Sequence, residues 1–111
     1  MFASRHKLSN LCAIVDFNKW QATGRSQEVL ALDPLADKWR AFGWAVEEVD
    51  GHDHRQLESK LLGKPGQLPR MFIAHTVKGK GISFMEDDNN WHYRVPTREE
   101  INIARVELGL A

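Results

Sequence analysis

Five apolar residues in succession, Leu11-Cys12-Ala13-Ile14-Val15, run directly into Asp16-Phe17-Asn18-Lys19-Trp20-Gln21, and no other stretch constrains the fold as tightly. The run is too short for a helix of ordinary length, and Ile14 and Val15 are β-branched. It suits a strand covered on both faces, as in a parallel sheet flanked by helices. The polar segment after it carries an acid, an amide and an amine. Ligands of open α/β sheets bind beyond the carboxyl ends of the strands, which is where this segment lies. Asn18 offers a neutral oxygen of the kind Mg²⁺ or Ca²⁺ prefers, and loop carbonyls offer more. The same residues would equally serve a plain turn, because Asp and Asn side chains bond their own backbone.

Downstream, the pattern repeats. A long loop over 17–32 precedes a helix for which Asp33 is the expected N-cap and Pro34 the first position. Leu35, Trp39 and Phe42 form its core-facing stripe, and Gly43 ends it in a left-handed conformation. Residues 44–50 read as a second, more exposed strand. Asp53 caps the next helix, with Leu57, Leu61 and Leu62 as its apolar face and Lys64-Pro65-Gly66 as its stop. Residues 71–77 form the third strand, followed by the glycine-rich Lys78-Gly79-Lys80-Gly81 and the polar turn 86–90. Thr97 and Glu100 make a capping box for a last helix with Ile101, Ala104 and Leu108 inward. Strands alternating with helices imply a parallel sheet with right-handed crossovers, an α/β fold.

With 111 residues the chain is long enough for one small domain, 1–111. Fifteen basic residues balance fifteen acidic ones, so a nucleic-acid partner, which demands a basic surface, is not expected. No apolar run approaches the roughly 18 residues needed to span a bilayer, and no membrane partner is expected. Residues 1–7 lack the apolar core of a signal peptide. They read as the end of a helix, with Arg5, His6 and Lys7 at the negative pole of its dipole, as though the chain were cut there. The single Cys12 lies inside the apolar run, which excludes an intrachain disulfide and favours the cytoplasm.

The polar residues gather in the segments after the three strands. His52, Asp53 and His54 match no common zinc spacing, and capping by Asp53 explains them more simply. Lys78 to Gly81 could cradle phosphate through backbone amides, or form a flexible surface turn. His92 follows the cluster of acids and amides 86–90 and has no apolar period around it. It suits proton transfer near neutral pH, or ordinary surface.

Taken together, the segments 10–19, 35–44, 49–53, 76–86 and 91–96, in that order, resemble the cofactor domain of transketolases, the thiamine-diphosphate enzymes. The resemblance implies a partial thiamine-diphosphate-binding domain, specifically the second half of the N-terminal one. It implies that Asn18, through its amide oxygen, and Trp20, through its main-chain carbonyl, ligate Mg²⁺ or Ca²⁺ bridging the diphosphate. It places His92 beside the diphosphate and the reacting carbon, and makes the chemistry the transfer of a two-carbon ketol unit between sugars or sugar phosphates.

The departures matter as much. The family's third metal ligand is the Asp of a Gly-Asp-Gly motif, and no Gly-Asp-Gly occurs in this sequence. The earlier half of the domain and the pyrimidine-binding domain, whose glutamate activates the cofactor, are also missing. The expectation is therefore a subunit or fragment that is inactive alone and completed by complementary transketolase-like chains. A non-catalytic module binding a larger relative, and a fragment from a late start codon or degraded gene, are the alternatives. A reading frame upstream of Met1 that encodes Gly-Asp-Gly would discriminate among them.

Overall fold

In the computed structural model, which describes residues 1–110, the apolar run becomes strand β1 (Cys12–Phe17). It starts one residue later than Leu11 and ends two after Val15. Its extent is set by its parallel partner β5 (Arg70–His75), in register from Cys12 opposite Arg70 to Phe17 opposite His75. Strand β4 (Ala45–Asp50) pairs with the other edge of β5, giving a parallel sheet of order β1-β5-β4. The chain thus passes over the central position and then returns to fill it. Right-handed crossovers in opposite directions put their helices on opposite faces of a sheet. That is where helices α3 (Leu35–Ala41) and α4 (His54–Leu61) lie. Met71 and Ile73 of β5 pack with Phe17, Ala36, Trp39 and Trp44 on the α3 side. Phe72 and Ala74 pack with Val49 and Leu57 on the α4 side.

The central strand is buried from Met71 to Ala74, as a strand covered on both faces must be. β1 departs from that expectation. Ala13, Val15 and Phe17 face α3, but α4 reaches no further than β4 and β5, and Ile14 is left 54% exposed on the bare face. β1 is an edge strand among the described residues.

Residues 17–32 are not a structureless loop. Strands β2 (Trp20–Gln21) and β3 (Gly24–Arg25) form a small antiparallel hairpin, and helix α2 (Ser26–Val29) follows. Two-residue strands are too short to show alternation in a sequence. At α3 the first helical bond runs from the Lys38 N–H to the Pro34 carbonyl, so Pro34 itself is the N-cap. Asp33, one residue outside, accepts instead from the Gln27 amide. Phe42 is the C-cap residue and 48% exposed, because α3 has already ended before the stripe completes its second turn. Gly43 does take the left-handed conformation, at φ +81°.

Asp53 caps α4 by accepting from the N–H groups of Arg55 and Gln56 at 3.0 and 3.1 Å, and Leu57 packs on the core. Leu61 and Leu62 are exposed. The capping box of helix α5 (Arg98–Glu107) forms as expected. Its apolar residues do not turn inward: Ile101 and Leu108 remain about half exposed, since no other element packs over them. The N-terminal helix α1 (Phe2–Arg5) is a single turn. No helix among the described residues is long and apolar enough to cross a membrane.

Candidate cofactor site

Two adjacent parallel strands, β1 and β5, deliver their following segments to the same end of the sheet. After β1, the Asn18 amide oxygen accepts the Trp20 N–H at 2.9 Å, and Lys19 takes a left-handed φ of +69°. This is the turn that Asn so often makes with its own backbone. The Ser26 N–H then donates to the Lys19 carbonyl at 2.9 Å and folds the hairpin back.

After β5, the chain makes a tight excursion over 78–87, closed by the Asp87 N–H donating to the Lys78 carbonyl at 2.8 Å. Gly79 sits there at φ +75°, where an added Cβ would overlap the carbonyl of Met85. The excursion is a structural turn rather than a phosphate cradle. Its amides at Lys80, Gly81 and Ile82 are already engaged by Val77, Glu86 and Gly79 within the loop. A 3₁₀ turn, Asn89–His92, follows and is capped by Asp88 through the Asn90 N–H at 2.9 Å.

The two segments are sewn together. Asn89 donates its side-chain amide to the carbonyls of Gln21 and Ala22, both at 3.1 Å. Asp87 accepts from the Trp20 indole N–H at 2.8 Å and from both terminal nitrogens of Arg25 at 2.6 and 2.5 Å. Those donors, the Arg25 guanidinium first and the Trp20 indole second, hold the Asp87 carboxyl below its ordinary pKa. Between the segments lies a cleft of about 150 Å³ lined by Asn18, Trp20, Gln21, Lys78, Asn89 and His92 among others. At about 30 Å³ per water, that is room for roughly five waters or one small anionic group, not for a whole cofactor. The three residues singled out from the sequence, Asn18, Trp20 and His92, thus share one cleft although 74 positions separate the first from the last.

Beside the cleft, at the carboxyl ends of all three strands, a second polar chain runs from Lys19 to His75 to Glu48. The Lys19 amine lies 2.6 Å from His75 Nδ1, and His75 Nε2 lies 2.7 Å from Glu48. An ammonium only donates, so Nδ1 accepts and Nε2–H donates to the carboxylate. Burial pushes the Lys19 pKa down, against the opposing pull of Asp33 and Glu48. Neither His75 nor the Arg25–Asp87 pair stood out in the sequence. Their partners lie 27 to 62 positions away, and no local pattern announces such contacts. His52 uses Nε2 to accept the Val77 N–H at 2.8 Å, a structural role.

The thiamine diphosphate binding domain of transketolase matches residues 1–111. The chain belongs to this family. It is 39% identical over 111 residues to one of the two-part apulose-4-phosphate transketolases, that of Phocaeicola vulgatus, spanning 98% of this chain and 40% of that protein. It is 43% identical over 110 residues to the 6-deoxy-6-sulfo-D-fructose transketolase subunit SqwG of a Clostridium species, spanning 97% of this chain and 40% of that one. The crystal structure of transketolase from Campylobacter jejuni superposes with a TM-score of 0.89 at 27% identity, over 97% of this chain and 17% of that one. The parallel sheet with flanking helices is thus a transketolase fold. The chain spans about two fifths of the length of the curated relatives named here.

Within this transketolase domain the cleft's donors are neutral oxygens, the chemistry a hard cation favours. The Asn18 oxygen spends one lone pair on Trp20 and keeps the other. No group of three His, Cys, Asp or Glu side chains comes together among the described residues.

Proposed function

We propose that this chain is one piece of a transketolase-type enzyme that moves a two-carbon ketol unit between sugars or sugar phosphates, and that it contributes part of a thiamine diphosphate and divalent-metal site while being inactive alone. The carrying observation is the shared cleft of Asn18, Trp20 and His92. The relatives named as transketolase subunits support a division of the enzyme among chains and a sugar or sugar phosphate substrate.

Asn18 through its amide oxygen and Trp20 through its carbonyl would hold Mg²⁺ or Ca²⁺ against the diphosphate. Mg²⁺ wants six oxygens, so two from this chain leave room for the cofactor, water and a carboxylate from a complementary chain carrying Gly-Asp-Gly. Thiamine diphosphate supplies the carbanion chemistry when bound. His92, exposed at the cleft rim with its ring edge-on to Tyr93, is free to bond substrate oxygens and to carry a proton. Lys78, also lining the cleft, adds positive charge beside the phosphate.

The test is a reconstituted assembly with the complementary chains. Asn18→Leu should weaken cation-dependent cofactor binding in a calorimetric titration. His92→Ala should slow turnover by roughly 10²–10⁴-fold, the range for a lost general acid or base, with a much smaller loss of cofactor affinity. Unchanged cofactor affinity removes Asn18 from the site, and unchanged turnover removes His92.

One observation favours a second role, that of a non-catalytic module binding a larger relative. The described residues bring no three acids or histidines together, so this chain's own side chains do not close a metal site. An assembly that forms tightly, yet binds no thiamine diphosphate through this chain, would establish that role.

A further inference from the structure

We propose that Arg25 and Asp87 are positioning residues, a clamp that fixes the Asn18–Trp20 turn and the His92 turn at one working separation across the cleft. The inference rests on the cofactor site proposed above and adds to it a mechanical element outside the cleft lining.

The geometry is unusually complete for a surface pair. Trp20 and Arg25 are cross-strand partners in the hairpin, and the Arg25 guanidinium lies over the Trp20 ring, 3.7 Å from its centroid. The same guanidinium grips both oxygens of Asp87, while the Trp20 indole N–H reaches one of them. Trp20 is therefore held on its face by a cation and at its edge by a carboxylate, and its backbone has little freedom to rotate. Asp87 adopts φ +57°, a left-handed conformation rare outside glycine, which its three side-chain bonds help to hold. Two residues on, Asn89 binds the hairpin carbonyls, and the 3₁₀ turn it opens ends at His92.

An isolated exposed ion pair contributes little, because solvent screens it and two side chains must be ordered. A bidentate arginine is the exception, since its fork fixes direction as well as distance. Here that fork spans 62 positions and joins two segments that otherwise meet through Asn89 and the cleft. Lysine cannot reproduce it: one ammonium neither grips both oxygens nor stacks flat on the indole.

The experiment compares wild type, Arg25→Met, Arg25→Lys and Asp87→Asn in the reconstituted assembly, first by amide hydrogen exchange. In Arg25→Met and Asp87→Asn the amides of residues 20–22 and 89–92 should exchange roughly 3–30-fold faster, the span expected when a charge-assisted bond is lost. Those of 71–74 in the central strand should be unchanged, and Arg25→Lys should recover only part of the protection. No change in the cleft segments overturns the proposal, as does equal acceleration in the central strand, which would mean general destabilisation. Kinetics supply the second readout. Arg25→Met should lower kcat more than it raises KM, and Arg25→Met combined with His92→Ala should be no slower than His92→Ala alone. Independent, multiplying losses would show that Arg25 does not act through His92. If the wild-type assembly binds no thiamine diphosphate, the cofactor reading fails by itself, and the exchange data alone decide whether the clamp exists.

Discussion

Replacing Gly79 and Gly81 by alanine, one at a time, separates backbone strain from steric overlap in the loop that supports the cleft. Both glycines have positive φ, +75° and +98°. An alanine forced into that region costs roughly 1–2 kcal/mol. About 0.4–1 kcal/mol returns because alanine also restricts the unfolded chain. If conformation were all, both variants would lose about 1 kcal/mol. Their surroundings differ sharply, however. A Cβ on Gly81 would meet only Leu108 Cδ2 at 3.7 Å, an ordinary contact. On Gly79 it would overlap the Met85 carbonyl oxygen and stand 2.6 Å from its carbon. Those are backbone atoms and cannot swing aside, so the loop must open.

Opening breaks the bond from the Asp87 N–H to the Lys78 carbonyl and loosens that from Ile82 to Gly79. At about 1 kcal/mol net for each, Gly79→Ala should lose about 3 kcal/mol, some 2 more than Gly81→Ala. Urea unfolding of the folded protein measures both, and exchange at the Asp87 amide locates the opening. Because Asp87 moves with the loop, Gly79→Ala should also accelerate exchange at residues 20–22, and Gly81→Ala should not. Equal stability losses within about 0.5 kcal/mol would refute the reasoning, since strain would then outweigh overlap.

Phe72, 2% exposed on the central strand, should cost about 3–5 kcal/mol when cut to alanine, whereas half-exposed Phe42 should cost under about 1 kcal/mol; urea midpoints decide. Asp87, Glu86, Glu100 and Glu107 are all held below their ordinary pKa values, chiefly by Arg25 for Asp87, the Gly81 and Thr97 backbone N–H groups for Glu86 and Glu100, and the Ser83 side chain for Glu107. Groups depressed on folding contribute stability above their unfolded pKa that is lost as pH falls through the folded one. Stability should therefore be flat near neutrality and decline from about pH 4.5 downward, with Asp87→Asn flattening part of that decline in a pH-resolved melt. The bare face of β1 at Ile14 and the uncovered apolar residues of α5 should make the isolated chain self-associate or unfold, and sedimentation at micromolar concentration should show no stable monomer.

How much of the fold was legible follows from how local each signal is. The β4 and β5 strands, the Asp53 cap and the Thr97–Glu100 capping box depend on residues within a few positions, and each formed where the pattern placed it. Burial was less legible because it depends on what lies across the sheet. Ile14 reads like Ile73 in the sequence, yet Ile73 sits between α3 and two neighbouring strands while Ile14 lies on an edge that α4 does not reach. Ile101 and Leu108 repeat the lesson on α5. Their spacing marks an apolar face correctly, but spacing cannot supply the element that would cover it.

The candidate site divides along the same line. Asn18, Trp20 and His92 were legible as types placed in the right segments, and the fold brings those segments together because β1 and β5 are neighbours. What holds them at their separation was not legible. Arg25 looked like one more loop cation and Asp87 like one more acid in a polar turn. Their joint meaning exists only after the hairpin folds Arg25 back over Trp20 and the glycine turn lifts Asp87 to meet both. Side chains that meet a ligand are constrained by the chemistry of that ligand, which a sequence displays as residue type. Side chains that set the distance between such groups are constrained by geometry alone. Substitutions at Arg25 should therefore change how the cleft is held without changing which atoms line it, and the exchange and kinetic comparison of Arg25→Met with Arg25→Lys distinguishes those two effects.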